Sequence, residues 1–198
     1  MAEDANEFEL KVRLELIESM LAAGRRTTES WGWTFVLWGV AYYTAIAWGY
    51  FGHSPLAWPV TMVAAGILTF LLASRKRQSE TKTLMGRAVC SIWVALGISM
   101  FSLFMSMSFA HILNERVFVA VACAMLGMAN ATSGLILKWK MQLACSVIWL
   151  ASSVAACFGT RFQSFVVFLV ALFFCQIVFG IYAMVRESRR HQRGAVHA

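Results

Sequence analysis

Charge is scarce in this sequence, and what there is lies in clumps. Of the 198 residues 14% are charged and 60% hydrophobic, with a mean hydropathy of +0.66; a soluble domain carries closer to a quarter charged residues. Residues 30–74, 45 in a row, contain no Asp, Glu, Lys or Arg. Shorter uncharged runs cover 88–114, 117–137, 141–160 and 162–185. Short segments of alternating polarity, the mark of a membrane β-barrel, are also missing. The pattern excludes an ordinary soluble core and points to helices that satisfy their own backbone hydrogen bonds in lipid.

Crossing a bilayer takes about 20 predominantly apolar residues. The runs therefore predict an all-α integral membrane protein, a bundle of six transmembrane helices in three antiparallel hairpins. The expected spans are 31–51, 56–74, 88–110, 117–137, 141–159 and 162–185, forming a membrane domain over 31–185. The long first run divides at Gly52-His53-Ser54-Pro55, where Ser54 suits an N-cap and Pro55 a first helical residue. Six spans place 1–30, 75–87, 138–140 and 186–198 on one side, with fifteen of the 17 basic residues; the other side holds Arg116 and Arg161. Cytoplasmic loops retain basic residues, so both termini are expected in the cytoplasm of a multi-pass plasma (inner) membrane protein. The formal net charge of +7 is then a topology signal and not a sign of nucleic-acid binding.

Residues 1–30 carry seven acids and four bases, unlike the basic start of a secretory signal. Within them 7–23 reads as an amphipathic helix, cytoplasmic or interfacial. Leu10, Leu14, Ile17 and Leu21 share one face and Glu7, Lys11, Glu15 and Glu18 another. Glu7–Lys11 and Glu9–Arg13 have the favourable i,i+4 order. A lipid-surface helix presents Lys and Arg, whereas this one presents Glu. Docking on protein is therefore expected: on the loop 75–87, on the basic tail 186–198, or on a neighbouring subunit.

Small residues mark helix contacts in lipid. Ala120, Ala124, Gly127, Ala131 and Gly134 form a stripe along the fourth span, and Ser99, Ser102 and Ser106 one along the third. Folded as a hairpin, the two stripes are expected to face each other; a hydroxyl-lined pore is the alternative. In the first span Trp31, Phe35, Trp38 and Tyr42 form an aromatic seam beside Ala41, Ala45 and Gly49. Trp38, Trp93 and Trp149 recur at spacings of 55 and 56 residues, and basic residues end each inward helix. Three tandem hairpins would produce this, as would the preference of Trp for interfaces.

Groups for chemistry are few. No Asp, Glu, Lys, Arg or His lies inside an expected span, which removes the usual marks of proton relays, ion sites and intramembrane cofactors. Ala131-Thr132-Ser133-Gly134 resembles the nucleophile motif of rhomboid proteases. A serine nucleophile needs an adjacent base, however, and His53 and His111 stand at the wrong depth. Met100, Met105, Met107, His111, Cys123, Met125 and Met128 could offer soft ligands to Cu(I), but Met is also a flexible apolar filler and these residues do not share a face. Cys90, Cys123, Cys145, Cys157 and Cys175 all fall within spans and read as small hydrophobes. No catalytic residue, metal or cofactor is expected. Asn130 and Gln176 are the most polar residues of the spans, suited to interhelical hydrogen bonds or to a cavity lined also by Ser133 and the third-span serines. Tyr182 and Arg186 read as an interfacial anchor.

Ile17-Glu18-Ser19-Met20, then Arg25-Arg26, then a span with Trp38-Gly39, resembles the opening of small uncharacterised bacterial multi-span membrane proteins with an N-terminal amphipathic helix. The resemblance covers roughly the first fifty residues and implies a bacterial inner membrane. Two functions are compatible with these features. One is a non-catalytic, oligomeric interaction or regulatory module whose partner, a second copy or another membrane protein, contacts residues 1–30. The other is a channel or carrier for a small neutral or lipophilic solute.

Overall fold

The computed structural model describes residues 2–54, 56–76 and 84–196. All elements among them are helical: α1 (Ala2–Ser30), α2 (Gly32–Gly52), α3 (Ala57–Lys76), α4 (Leu84–Phe109), α5 (Glu115–Ile136), α6 (Lys140–Phe158), α7 (Arg161–Leu172), a π-helical segment (Phe173–Val178) and α8 (Phe179–Val196). Five stretches are long and apolar enough to cross a membrane: Ala57–Arg75, Met85–Phe109, Glu115–Ile136, Lys140–Phe158 and Arg161–Arg190. The first expected span, now α2, is 21 residues long and uncharged but falls outside this group. Its Trp, Tyr and Gly residues depress mean hydropathy without adding charge.

Short connections are fixed by local capping. Asn114 accepts from the backbone N–H groups of Arg116 and Val117 at 3.1 and 3.3 Å and so starts α5. Thr160 and Gln163 form a reciprocal capping box at α7, at 3.3 and 2.8 Å. Ser54 accepts from Leu56 N at 3.3 Å, while Pro55 lies outside the described residues.

The centre of the bundle is α5. Half of its apolar window is buried, against 11% for α3 and for α4. Its most extensive contact is with α6, across the boundary between the second and third expected hairpins. Trp149, Leu172, Cys123 and Ala129 are fully buried there. The aromatic seam of α2 packs inward: Phe35 meets Trp93 and Phe179 edge-on at 5.0 and 5.1 Å, and Tyr42 meets Trp58 and Phe168 at 5.8 and 6.0 Å. Such geometries match positive ring edges to negative faces. Trp31 and Trp38 are only half-buried.

The expected pairing of serine and small-residue stripes is corrected by the fold. The small stripe of α5 serves α6 instead. A Cβ at Gly127 would lie 2.8 Å from Leu150 Cγ and one at Gly134 3.0 Å from Leu143 N, so these glycines let α6 approach. Ser99, Ser102 and Ser106 lie on the exposed side of α4, opposite the face that buries Val89, Leu96 and Met100. Both stripes exist, but α4 is rotated so that its large apolar residues meet the core.

Candidate functional site

The end of α1 meets the start of α8 through Glu29, at the end of the bundle where α2 begins. The register is continuous: Tyr43 Oη donates to Leu169 O at 2.8 Å, Gly39 packs on Gln176 and Ile177, and Gly32 on Gly180 and Ala183. Beyond Gly32 the same line passes Trp31 and reaches Glu29, whose oxygens lie 3.1 Å from Arg186 Nε and 3.1 Å from Arg190 Nη1. Partner numbers rise as α2 and α1 numbers fall, so the end of α1 prolongs the axis of α2, antiparallel to α8. A Cβ at Gly32 would come within 2.8 Å of Ala183 Cβ, and one at Gly180 within 2.9 Å of Gly32 O. Only glycines permit this backbone approach.

Glu29 has a side chain 2% exposed, whereas Arg186 and Arg190 are 43% and 47% exposed. The contacts are ion pairs at close range without well-aligned hydrogen bonds. One carboxylate thus faces two guanidiniums a helical turn apart. Arg186 also donates to Tyr182 Oη at 3.1 Å, joining the expected interfacial anchor to the clamp. One turn before Glu29, Arg25 has its Nε buried without a partner among the described residues. Glu29 went unrecognised as a site residue because it precedes the first uncharged run and looks like one more acid of the N-terminal segment. Its spacing from Gly32, a small residue fit for close approach, is the signal that could have singled it out.

The rest of α1 behaves differently. Residues 7–20 are all exposed, while Leu21, Gly24, Thr28, Glu29 and Ser30 are buried. Of the expected apolar face only Leu21 docks; Leu10, Leu14 and Ile17 are 59%, 53% and 51% exposed. Phe8, Val12 and Leu16 are exposed on the opposite side, so the helix is less amphipathic than its 4-3-4 pattern suggests. The pairs Lys11–Glu7, at 2.8 Å, and Arg13–Glu9 form as expected. A shallow cleft of about 580 Å³ lies between α1 and the α5–α6 turn, lined by Glu15, Glu18, Arg25 and Lys138 among others. Beyond 7–23, Glu29 reaches Arg186 and Arg190 at the start of the basic tail, and Gly24 packs on Met85 of the expected loop and on Leu137; residues 77–83 of that loop lie outside the described residues.

Within the bundle Asn130, Ser133 and Gln176 are buried. Asn130 Nδ2 donates to Leu126 O at 2.8 Å, but its Oδ1, Ser133 Oγ and both amide atoms of the buried Gln142 have no partner among the described residues. Ala120, Gly127 and Gly134 are buried in the stripe, with Ala124 and Ala131 half-buried. At the far end Arg161 and Glu115 pair through two hydrogen bonds, the Nε one at 2.8 Å, and Arg116 donates to Gly159 O at 3.3 Å. No family model, curated protein or solved structure matches the chain.

Proposed function

We propose that the chain is a bacterial inner-membrane protein of six spans, α2 included, with both termini in the cytoplasm. In this reading it is a non-catalytic interaction or regulatory module, oligomeric in the membrane, that presents α1 to a partner. The observation that carries it is the contrast along α1. Residues 7–20 stand clear with Leu10, Leu14 and Ile17 uncovered, while the base is buried and clamped by Glu29. A merely solvated lead-in helix has no need of a buried ionic clamp, which is costly to desolvate; a helix that must hold a fixed direction does. The charge-free interiors and the fifteen-to-two division of basic residues support the six spans and their direction.

The test is site-specific photo-crosslinking from position 14 in native membranes. The expected result is a discrete protein adduct at Leu14 that is weak at Ser19, on the other side of the helix. An absence of adducts, with α1 equally open to protease in membranes and in detergent, would sink the reading. Alkaline extraction and thiol labelling of single cysteines placed at both ends test insertion and direction.

A channel or carrier is favoured by one observation, the unpartnered buried polar atoms of Asn130, Ser133 and Gln142. In lipid such groups are costly unless hydrated or bound. Solute flux in liposomes that Asn130→Leu abolishes would support it.

A further inference from the structure

We propose that Arg186 and Arg190 form a binding site for a phosphate group, and that the phosphate belongs to an anionic membrane lipid of the inner leaflet. The proposal rests on the six-span reading, which places these arginines at the membrane boundary.

Glu29 does not neutralise the site. One carboxylate faces two guanidiniums, at 3.1 Å from Arg186 Nε and 3.1 Å from Arg190 Nη1, and both arginines keep nearly half their side-chain surface open. The arginines are four apart on α8, so their free edges project from the same side one turn apart. Arg186 is further fixed by its bond to Tyr182 Oη. The result is a pair of guanidiniums backed by Glu29 on one side and open on the other, and planar guanidiniums suit the paired oxygens of a phosphate. The close crossing at Gly32 and Gly180 keeps Glu29 in place behind the pair. Phosphates of anionic lipids lie at the depth where a span passes into a basic segment, as α8 does after Val185.

The experiment uses the full chain in nanodiscs of phosphatidylcholine alone or with phosphatidylglycerol, and in neutral detergent with inorganic phosphate. The unfolding midpoint is the readout. The wild type is expected to gain several degrees in the anionic discs. A triple variant, Glu29→Gln with Arg186→Gln and Arg190→Gln, keeps a polar clamp of similar size without stranding a buried carboxylate, and is expected to lose most of that gain. Lys138→Gln removes the same net charge elsewhere on that side and is expected to keep it. Should the triple variant fold poorly, Arg186→Lys with Arg190→Lys preserves charge and is expected to lose part of the gain, since the fork is lost. Stabilisation by inorganic phosphate that the triple variant abolishes also supports the site and names a soluble source. Equal gains in wild type and triple variant, or no gain in either medium, overturn it. Failure of the chain to resist alkaline extraction would defeat the membrane reading instead.

Discussion

Ser153 donates its hydroxyl to the backbone carbonyl of Ala120 at 2.7 Å, from α6 across to α5. This bond and the two glycine contacts at Gly127 and Gly134 lock the register of the tightest helix pair in the fold. Interhelical hydroxyl bonds in membranes are worth about 0.6 kcal/mol on average and at most about 1.7. Ser153→Ala is therefore expected to lower stability by about 0.5–1.5 kcal/mol. Ser133→Ala, which removes a buried hydroxyl with no partner among the described residues, is expected to be neutral or stabilising. Reversible unfolding in detergent measures both, and a large loss at Ser133 would show that its hydroxyl is engaged.

The glycines divide into two groups by what surrounds them. Gly134→Val would press a branched side chain on Leu143, where even a Cβ stands 3.0 Å from backbone nitrogen; overpacking of this kind costs about 1–3 kcal/mol. Gly66 and Gly97 have nothing within 4 Å of a Cβ, and replacement by Ala is expected to add about 0.5–1 kcal/mol through helix propensity. Thermal midpoints of the single variants check the difference in sign.

Breaking the Glu29 clamp from either side should not be equivalent. Glu29→Ala leaves two half-exposed arginines, which can turn to water, so the loss is expected to be about 1 kcal/mol. Arg186→Ala with Arg190→Ala leaves a carboxylate 2% exposed, and stranding a buried charge costs about 3–5 kcal/mol. Adding Glu29→Gln to the arginine double variant is expected to recover much of that loss. Equal losses from the two sides would mean that Glu29 reaches solvent.

Thiol chemistry reports the burial pattern directly. Cys90 and Cys157 are exposed on the bundle surface, while Cys123, Cys145 and Cys175 are buried, Cys175 donating to Cys145 O at 3.6 Å. A small membrane-permeant thiol reagent is expected to label two cysteines in the folded protein and five after denaturation. Mass spectrometry distinguishes the sites, and rapid labelling of Cys123 would contradict the packing of α5.

The exposed serines of α4 should tolerate change. Ser99→Leu, Ser102→Leu and Ser106→Leu are each expected to alter monomer stability by no more than about 0.5 kcal/mol, as surface substitutions do. A larger loss, measured by unfolding at high detergent-to-protein ratio, would return that face to the bundle interior.

Much of the bundle was legible because its signals are local. Uncharged runs of sufficient length and the small stripe on α5 depend only on residues near each other in the chain. Helix α1 and its ion pairs are likewise a matter of i,i+4 neighbours. The choice of partner is not local. The α5 stripe could accept α4 or α6, and the large residues Val89, Leu96 and Met100 decided it by turning the α4 serines outward. The same holds for Glu29: sequence could count it among seven N-terminal acids, but only the crossing of Gly32 with Gly180 brings it against Arg186 and Arg190. Sequence by itself therefore determined which segments are helical and apolar, because hydrophobicity and capping are properties of short stretches. The tertiary structure decided which faces meet and which charge is buried, because those depend on packing residues far apart in the chain.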